Sequence, residues 1–263
     1  MKTKILASAI CGLGMLASGA ASAVVVGGVD FGSFGTHLET TTLAETTVTG
    51  NGQKIMGYGV VNTVNGNINY AGGDKLFFVF KDYTTTNFSG SHTDFTGGTV
   101  LVYKLANFNL LNQSSATNLT LIQGGTLWAT LDGHGMFGSA NTLTANGNLT
   151  GNTLSFSGNG LLDVNTSAGT GLADVQQFLN ANTVGDGGGG FADIVLTTSA
   201  NNFVLNPNDG QSRCFNGTAV EGDWCLAGSA DLRGKTVPEP SVLALLGIGL
   251  LGMASSGRKR KAA

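Results

Sequence analysis

Paired Gly and Asn residues recur through the middle of this chain at strand-length intervals: Asn51-Gly52, Asn65-Gly66, Gly124-Gly125, Asn146-Gly147, Gly151-Asn152 and Gly158-Asn159-Gly160. Such pairs supply the positive φ angles of tight hairpin turns, so they favour antiparallel strands over helices. The runs between them are rich in Val, Thr, Phe and Tyr, which suit a pleated, half-buried surface. Val24–Val29, Thr46–Thr49, Lys54–Val64 and Asn67–Tyr70 read as early strands. Leu76–Tyr83 is the most apolar stretch between the two ends and reads as a central strand. Thr99–Phe108 alternates, with Leu101, Tyr103 and Leu105 on one face and Val100, Val102 and Lys104 on the other. Leu119–Ile122 and Thr126–Leu131 read as a hairpin across Gly124-Gly125. A meander of short strands follows from Leu143 to Val164, and two more strands are expected at Ala192–Thr198 and Asn202–Leu205. One helix is expected, Leu172–Ala181, with Val175, Phe178 and Leu179 on one face and a flexible Gly185–Gly190 loop behind it. The fold class is therefore all-β: a sandwich-like or irregular β-meander ectodomain with one short helix. Glycine is abundant, at 42 residues, but it has no period of three and only 3 prolines accompany it, which excludes a collagen-like chain.

Both ends are of a different kind. Lys2 and Lys4 precede an apolar run, Ile5 to Leu16, and Ala21-Ser22-Ala23 forms a small-residue cleavage site. That is the layout of an export signal peptide, with Val24 as the first mature residue. At the other end Pro238-Glu239-Pro240 breaks any helix, since proline lacks the N–H and extends the residue before it. Ser241 to Gly257, including Leu245 and Gly249, then carries no charge and is about 25 Å long as a helix, the short end of a membrane span. Arg258, Lys259, Arg260 and Lys261 form a basic stop that the positive-inside rule leaves in the cytoplasm. The expected organisation is 1–23 signal peptide, 24–227 β-rich extracellular domain, 228–236 linker and 237–263 sorting and anchor signal.

This three-part tail resembles the PEP-CTERM sorting signal of Gram-negative bacteria, in which Pro-Glu-Pro precedes a short apolar helix and an Arg-rich end. The resemblance covers about a tenth of the chain. It implies recognition and removal of the tail by an exosortase, a membrane-embedded transpeptidase-like enzyme. It also implies transient residence in the inner membrane, then a destination at the cell surface or extracellular matrix. The runs at 127–131, 192–199 and 228–234 are similar to pieces of flocculation-associated PEP-CTERM proteins, which implies a role in cell aggregation.

Removing both ends uncovers a charge imbalance. Between 24 and 236 stand seven Lys/Arg and fifteen Asp/Glu, a net of −8 that the whole-chain value of −3 hides. An acidic exported domain of this kind argues against nucleic-acid binding. Its cysteines, Cys214 and Cys225, lie in a Gly- and Asn-rich segment, and in an oxidising compartment a pair this close reads as a disulfide.

Candidate catalytic groups are few. His37, His92 and His134 lie far apart, and none belongs to a ligand-spaced pair. No Gly-x-Ser-x-Gly elbow occurs. Gly133-His-Gly-Met-Phe-Gly138 fits a dinucleotide fingerprint as text, yet so does Gly247-Ile-Gly-Leu-Leu-Gly252 in the membrane tail. Neither sits in the strand–helix context that the pattern requires. Asp186, Asp193, Asp209 and Asp223 could ligate Ca²⁺ but lack the dense alternation of a Ca²⁺ loop. No catalytic, cofactor or metal residue is assigned. Among the aromatics Trp128, Trp224 and Tyr103 could stack on sugars, and Trp224, in the disulfide loop, is the candidate glycan contact. The expectation is a non-enzymatic surface or matrix protein, structural or adhesive in exopolysaccharide, biofilm or floc. The alternatives are a carbohydrate-binding module of the cell surface or, with less support, a secreted hydrolase.

Overall fold

A computed structural model describes residues 23–32, 35–209 and 212–234. The sorting motif, membrane anchor, basic stop and nearly all of the signal peptide lie outside the described residues. Among those described, no helix is long and apolar enough to cross a membrane. Residues 25–31 and 35–235 form one compact unit.

That unit is built on β3 (His37–Thr46), β4 (Lys54–Val64), β5 (Asp74–Thr86), β6 (His92–Ala106), β7 (Thr126–His134), β8 (Asn141–Asn148), β9 (Ser155–Val164), β12 (Ile194–Asn201) and β13 (Trp224–Gly234). Two small hairpins stand apart, β1 (Val25–Val26) with β2 (Val29–Asp30), and β10 (Val184–Gly185) with β11 (Phe191–Ala192). The nine long strands run in the order β12-β13-β3-β4-β5-β6-β7-β9-β8, all antiparallel. Two further pairings, β12 with β9 and β6 with β8, close the sheet on itself. β7 and β8 share one place in the wall: β6 gives its first half to β8 and its second half to β7, and β9 does the same on their other side. The result is a closed barrel of eight strand positions, not a sandwich. Closure removes the free edges that two packed sheets would leave open.

Three local readings change for physical reasons. Residues 115–123 form a helix, α1 (Ser115–Gln123), where a strand was expected at Leu119–Ile122. The Ser114 side chain caps it, and Ser115, Asn118 and Ile122 are buried along it. With α2 (Ala173–Leu179) and the single turn α3 (Arg213–Asn216), the domain has more helix than the one segment expected. Second, β3 and β13 were not read as strands, and residues 228–234, read as linker, are the second half of β13. β3 is mostly Thr and Glu, and Gly, Ser, Asp and Arg interrupt the second half of β13, so neither presents a run of apolar or β-branched residues. Third, Gly158-Asn159-Gly160 lies inside β9, not at a turn. A Cβ at Gly160 would come within 2.6 Å of the Thr142 carbonyl on β8, so the glycines there allow close strand approach. Asn67–Tyr70 and Asn202–Leu205 form turns and irregular chain.

Three clusters of buried apolar residues result among the described residues, the smallest being Met136, Leu161 and Ala192. The largest lies inside the barrel and includes Leu38, Phe78, Val100, Val102, Leu131 and Leu196. Val26, Val29 and Phe31 from the first hairpin join it with Val175 and Leu179 of α2. A smaller one lies on the outside of the wall, where Phe77, Val79 and Tyr103 meet Leu110 and Ile122 beneath α1. Both faces of β5 are therefore covered at its start, which explains the unbroken apolar run Leu76–Phe80. Gly97 and Gly98, at φ of 70° and 92°, sit beside Asp82 at 61°. Here the inward phase switches from Phe95 to Val100 on β6 and from Phe80 to Tyr83 on β5, as β6 exchanges β8 for β7.

Candidate functional site

Two places in this barrel concentrate chemistry. The first is on the surface at the end of β7. His134 lies between two carboxylates, with Nδ1 2.7 Å from Asp163 and Nε2 3.4 Å from Asp186. Burial opposes charging of the ring, but these two acids outweigh it and raise the histidine above its ordinary pKa. The Gly185–Gly190 loop is folded around Asp186, whose Oδ1 accepts the Gly188 and Gly190 N–H groups at 2.7 and 2.8 Å. The Gly188 N–H is the main influence holding that carboxyl below its usual pKa; desolvation opposes it, and Gly190 and His134 assist. Phe137 is 80% exposed in the turn after His134, and Phe191, at the return of the β10–β11 hairpin, is 59% exposed. The Phe137 ring lies against Gly187, where a Cβ would meet it at 2.5 Å. Two solvent-facing aromatic side chains thus flank one internally hydrogen-bonded loop with charged groups.

The second place is the barrel interior. A cavity there offers about 80 Å³ to the centre of a water-sized sphere, several times the 10–15 Å³ that one water needs. Its walls are mostly aliphatic and aromatic, with four threonines and one carboxyl among them, Glu45. The pairing of β3 with β4 shifts register between Thr42 and Ala44. Before the shift Leu38, Thr40 and Thr42 line the cavity; after it Ala44 packs in the outer core and Glu45 lines the cavity. A β-bulge re-aims a side chain in this way. Glu45 is 6% exposed, and burial alone pushes its pKa up to about 8. Tyr83 also lines this space, and its buried hydroxyl has no hydrogen-bond partner among the described residues.

The residues singled out from sequence are dispersed. Trp224 is half-buried, with its ring edge-on to Tyr58 at 5.8 Å in the outer core. Trp128 and Tyr103 are buried. Cys214 and Cys225 are joined in a disulfide. The four aspartates considered for Ca²⁺ each serve local structure. Asp193 accepts from the Val164 and Asn182 N–H groups, Asp209 bonds Ser115, Asp223 pairs with Arg213, and Asp186 holds its own loop. His37, Glu39 and Asp231 place ligand-type atoms within 4.8 Å of one another on the outer face of β3 and β13. There Thr63 already donates to Glu39, and Arg233 stands 3.7 Å from Asp231. His92 bonds Asn146 across the β6–β8 pair. Glu45 was missed because its strand was missed: a single acid in a Thr-rich run reads as an exposed residue until the bulge is known.

Residues 236–261 match the PEP-CTERM protein-sorting motif family. The chain thus carries a C-terminal sorting signal, which implies export, a membrane-anchored precursor and processing by an exosortase. No curated protein and no solved structure matches the chain.

Proposed function

We propose that the barrel of this PEP-CTERM protein is a non-enzymatic component of the cell surface or extracellular matrix, structural or adhesive in exopolysaccharide, biofilm or floc. The sorting signal carries this reading. β13 ends at Gly234 and the matched motif begins at residue 236 of the chain. A closed wall with few charges and a disulfide suits a protein that works outside the cell. Intact mass spectrometry of the protein from the cell surface and medium tests the route. A mass beginning at Val24 and ending near Pro238–Pro240 supports it; one that still contains Arg258–Ala263 overturns it.

The exposed Phe137 and Phe191 favour a glycan as the partner within this reading. Aromatic faces present a flat apolar surface to the C–H face of a sugar, while the part-exposed Asp163 carboxylate, oriented by His134, offers an acceptor to its hydroxyls. Trp224 is the weaker candidate, being packed against Tyr58. Retention on the producing cells' own exopolysaccharide should fall in a Phe137→Ala, Phe191→Ala double variant and persist in Trp224→Ala. Undiminished retention in the double variant removes the platform from the proposal.

A further inference from the structure

The barrel interior has no part in surface attachment, and its composition is unusual for a mere core. A filled core of this size would leave no room for several waters and would not hold an unpaired acid. Here both are present. Glu45 is more than nine-tenths buried and lines the cavity, and its carboxyl makes no hydrogen bond or ion pair with any described residue. A register shift in β3 turns it inward, where regular alternation would have left it outside. Around the cavity stand Phe78, Val100, Val102, Leu131, Leu143 and Leu196, all from the barrel wall. Leu179 of α2 closes it on one side, and Phe156 lines it elsewhere.

We propose that this interior is a binding chamber for a small neutral lipophile bearing one hydroxyl or carbonyl group, with the apolar body against the wall and the polar group on Glu45. Charge decides the class. An un-ionised carboxyl offers one O–H donor and one carbonyl acceptor, the complement of an alcohol or a ketone. A carboxylate ligand would bring its own charge into a largely apolar space beside an acid, where the wall offers neutral Thr and Tyr83 hydroxyls but no Lys, Arg or His to offset the desolvation cost. A hydrocarbon would fit the walls but leave Glu45 unpaired. The proposal is independent of the glycan reading, since no cavity-lining residue belongs to the Phe137–Phe191 surface.

Trp128 lines the cavity and reports on it. The test uses the full-length chain in lipid nanodiscs, with Trp224→Phe removing the second indole and empty nanodiscs as the reference. 1-Hexanol is titrated at pH 7 and followed by Trp128 fluorescence, with hexanoate as the comparison. A saturable change with 1-hexanol, and at least tenfold weaker binding of hexanoate, is the expected result. Glu45→Leu should weaken 1-hexanol binding about fivefold to tenfold, the range of one buried hydrogen bond, while Glu45→Gln should stay within about threefold. Ala145→Leu, which grows into the cavity, should abolish the signal; near-UV circular dichroism checks that this variant is folded. No saturable response, or a response unchanged in folded Ala145→Leu, overturns the chamber. Equal binding of hexanol to wild type and Glu45→Leu overturns the role given to Glu45.

Discussion

Glu45→Gln is the substitution whose consequence the structure specifies most closely. Burial raises the native carboxyl from 4.5 to about 8, whereas in the unfolded chain it titrates normally. Between those values the native state holds a proton that the unfolded state has lost. Stability linked to this group is thus complete below pH 4.5 and drains away as pH rises through about 8. At 1.36 kcal/mol per unit, the loss between pH 5 and pH 8 is roughly 3 to 4 kcal/mol. Gln keeps the shape and never ionises, so its stability should lack this slope. For a chain of this size the difference corresponds to about 10 °C in the unfolding midpoint. The assay is urea or thermal unfolding of both proteins across pH 5 to 8, read as the difference between them. Titrations common to both, including those of His92 and His134, cancel. Parallel curves for the two proteins would refute the reasoning, because they would mean that Glu45 is hydrated and charged in the native barrel.

Other outcomes follow from the same geometry. Replacing Pro238, Glu239 and Pro240 by Ala should leave the tail on the protein, so intact mass should retain Arg258–Ala263; normal processing in that variant counts against recognition of the motif. Cys214→Ser with Cys225→Ser opens a loop of eleven residues' separation and should lower stability by about 3 kcal/mol in the unfolding assay. Trp224→Ala should destabilise the barrel by roughly 3 kcal/mol through loss of packing against Tyr58, read as a lower unfolding midpoint. His134 is raised in the native state, so its contribution is full below 6.5 and is lost as pH rises through the native value. Protection of the Gly188 and Gly190 amides, taken relative to the base-catalysed intrinsic exchange rate, should fall over that rise, and His134→Ala should remove that fall.

The sequence by itself determined the class of the domain and the nature of its tail. Gly- and Asn-punctuated β-branched runs are a local property, and they specify antiparallel strands such as β4 and β6 without reference to partners. The Pro-Glu-Pro, apolar and basic order is likewise local, because a sorting signal is read as a linear peptide. Alternation in Thr99–Lys104 even separated the inward Val100 and Val102 from the outward Leu101 and Tyr103. Only the tertiary structure decided how the strands close. Barrel closure depends on β9 meeting β12 across intervening segments, and no residue pattern within either strand encodes that pairing. β3 and β13 escaped notice for the same reason: their polar outer faces dilute the signal, and their strand character comes from neighbours on both sides. Residues 119–122 read as a strand because Thr120 and Ile122 are β-branched, while the Ser114 cap and the outer core over Phe77 and Tyr103 favour the helix. Glu45 is the clearest case. One residue of register slip turns a carboxyl from solvent to interior, and that slip arises from how two strands pair, which the order of residues in either one does not state.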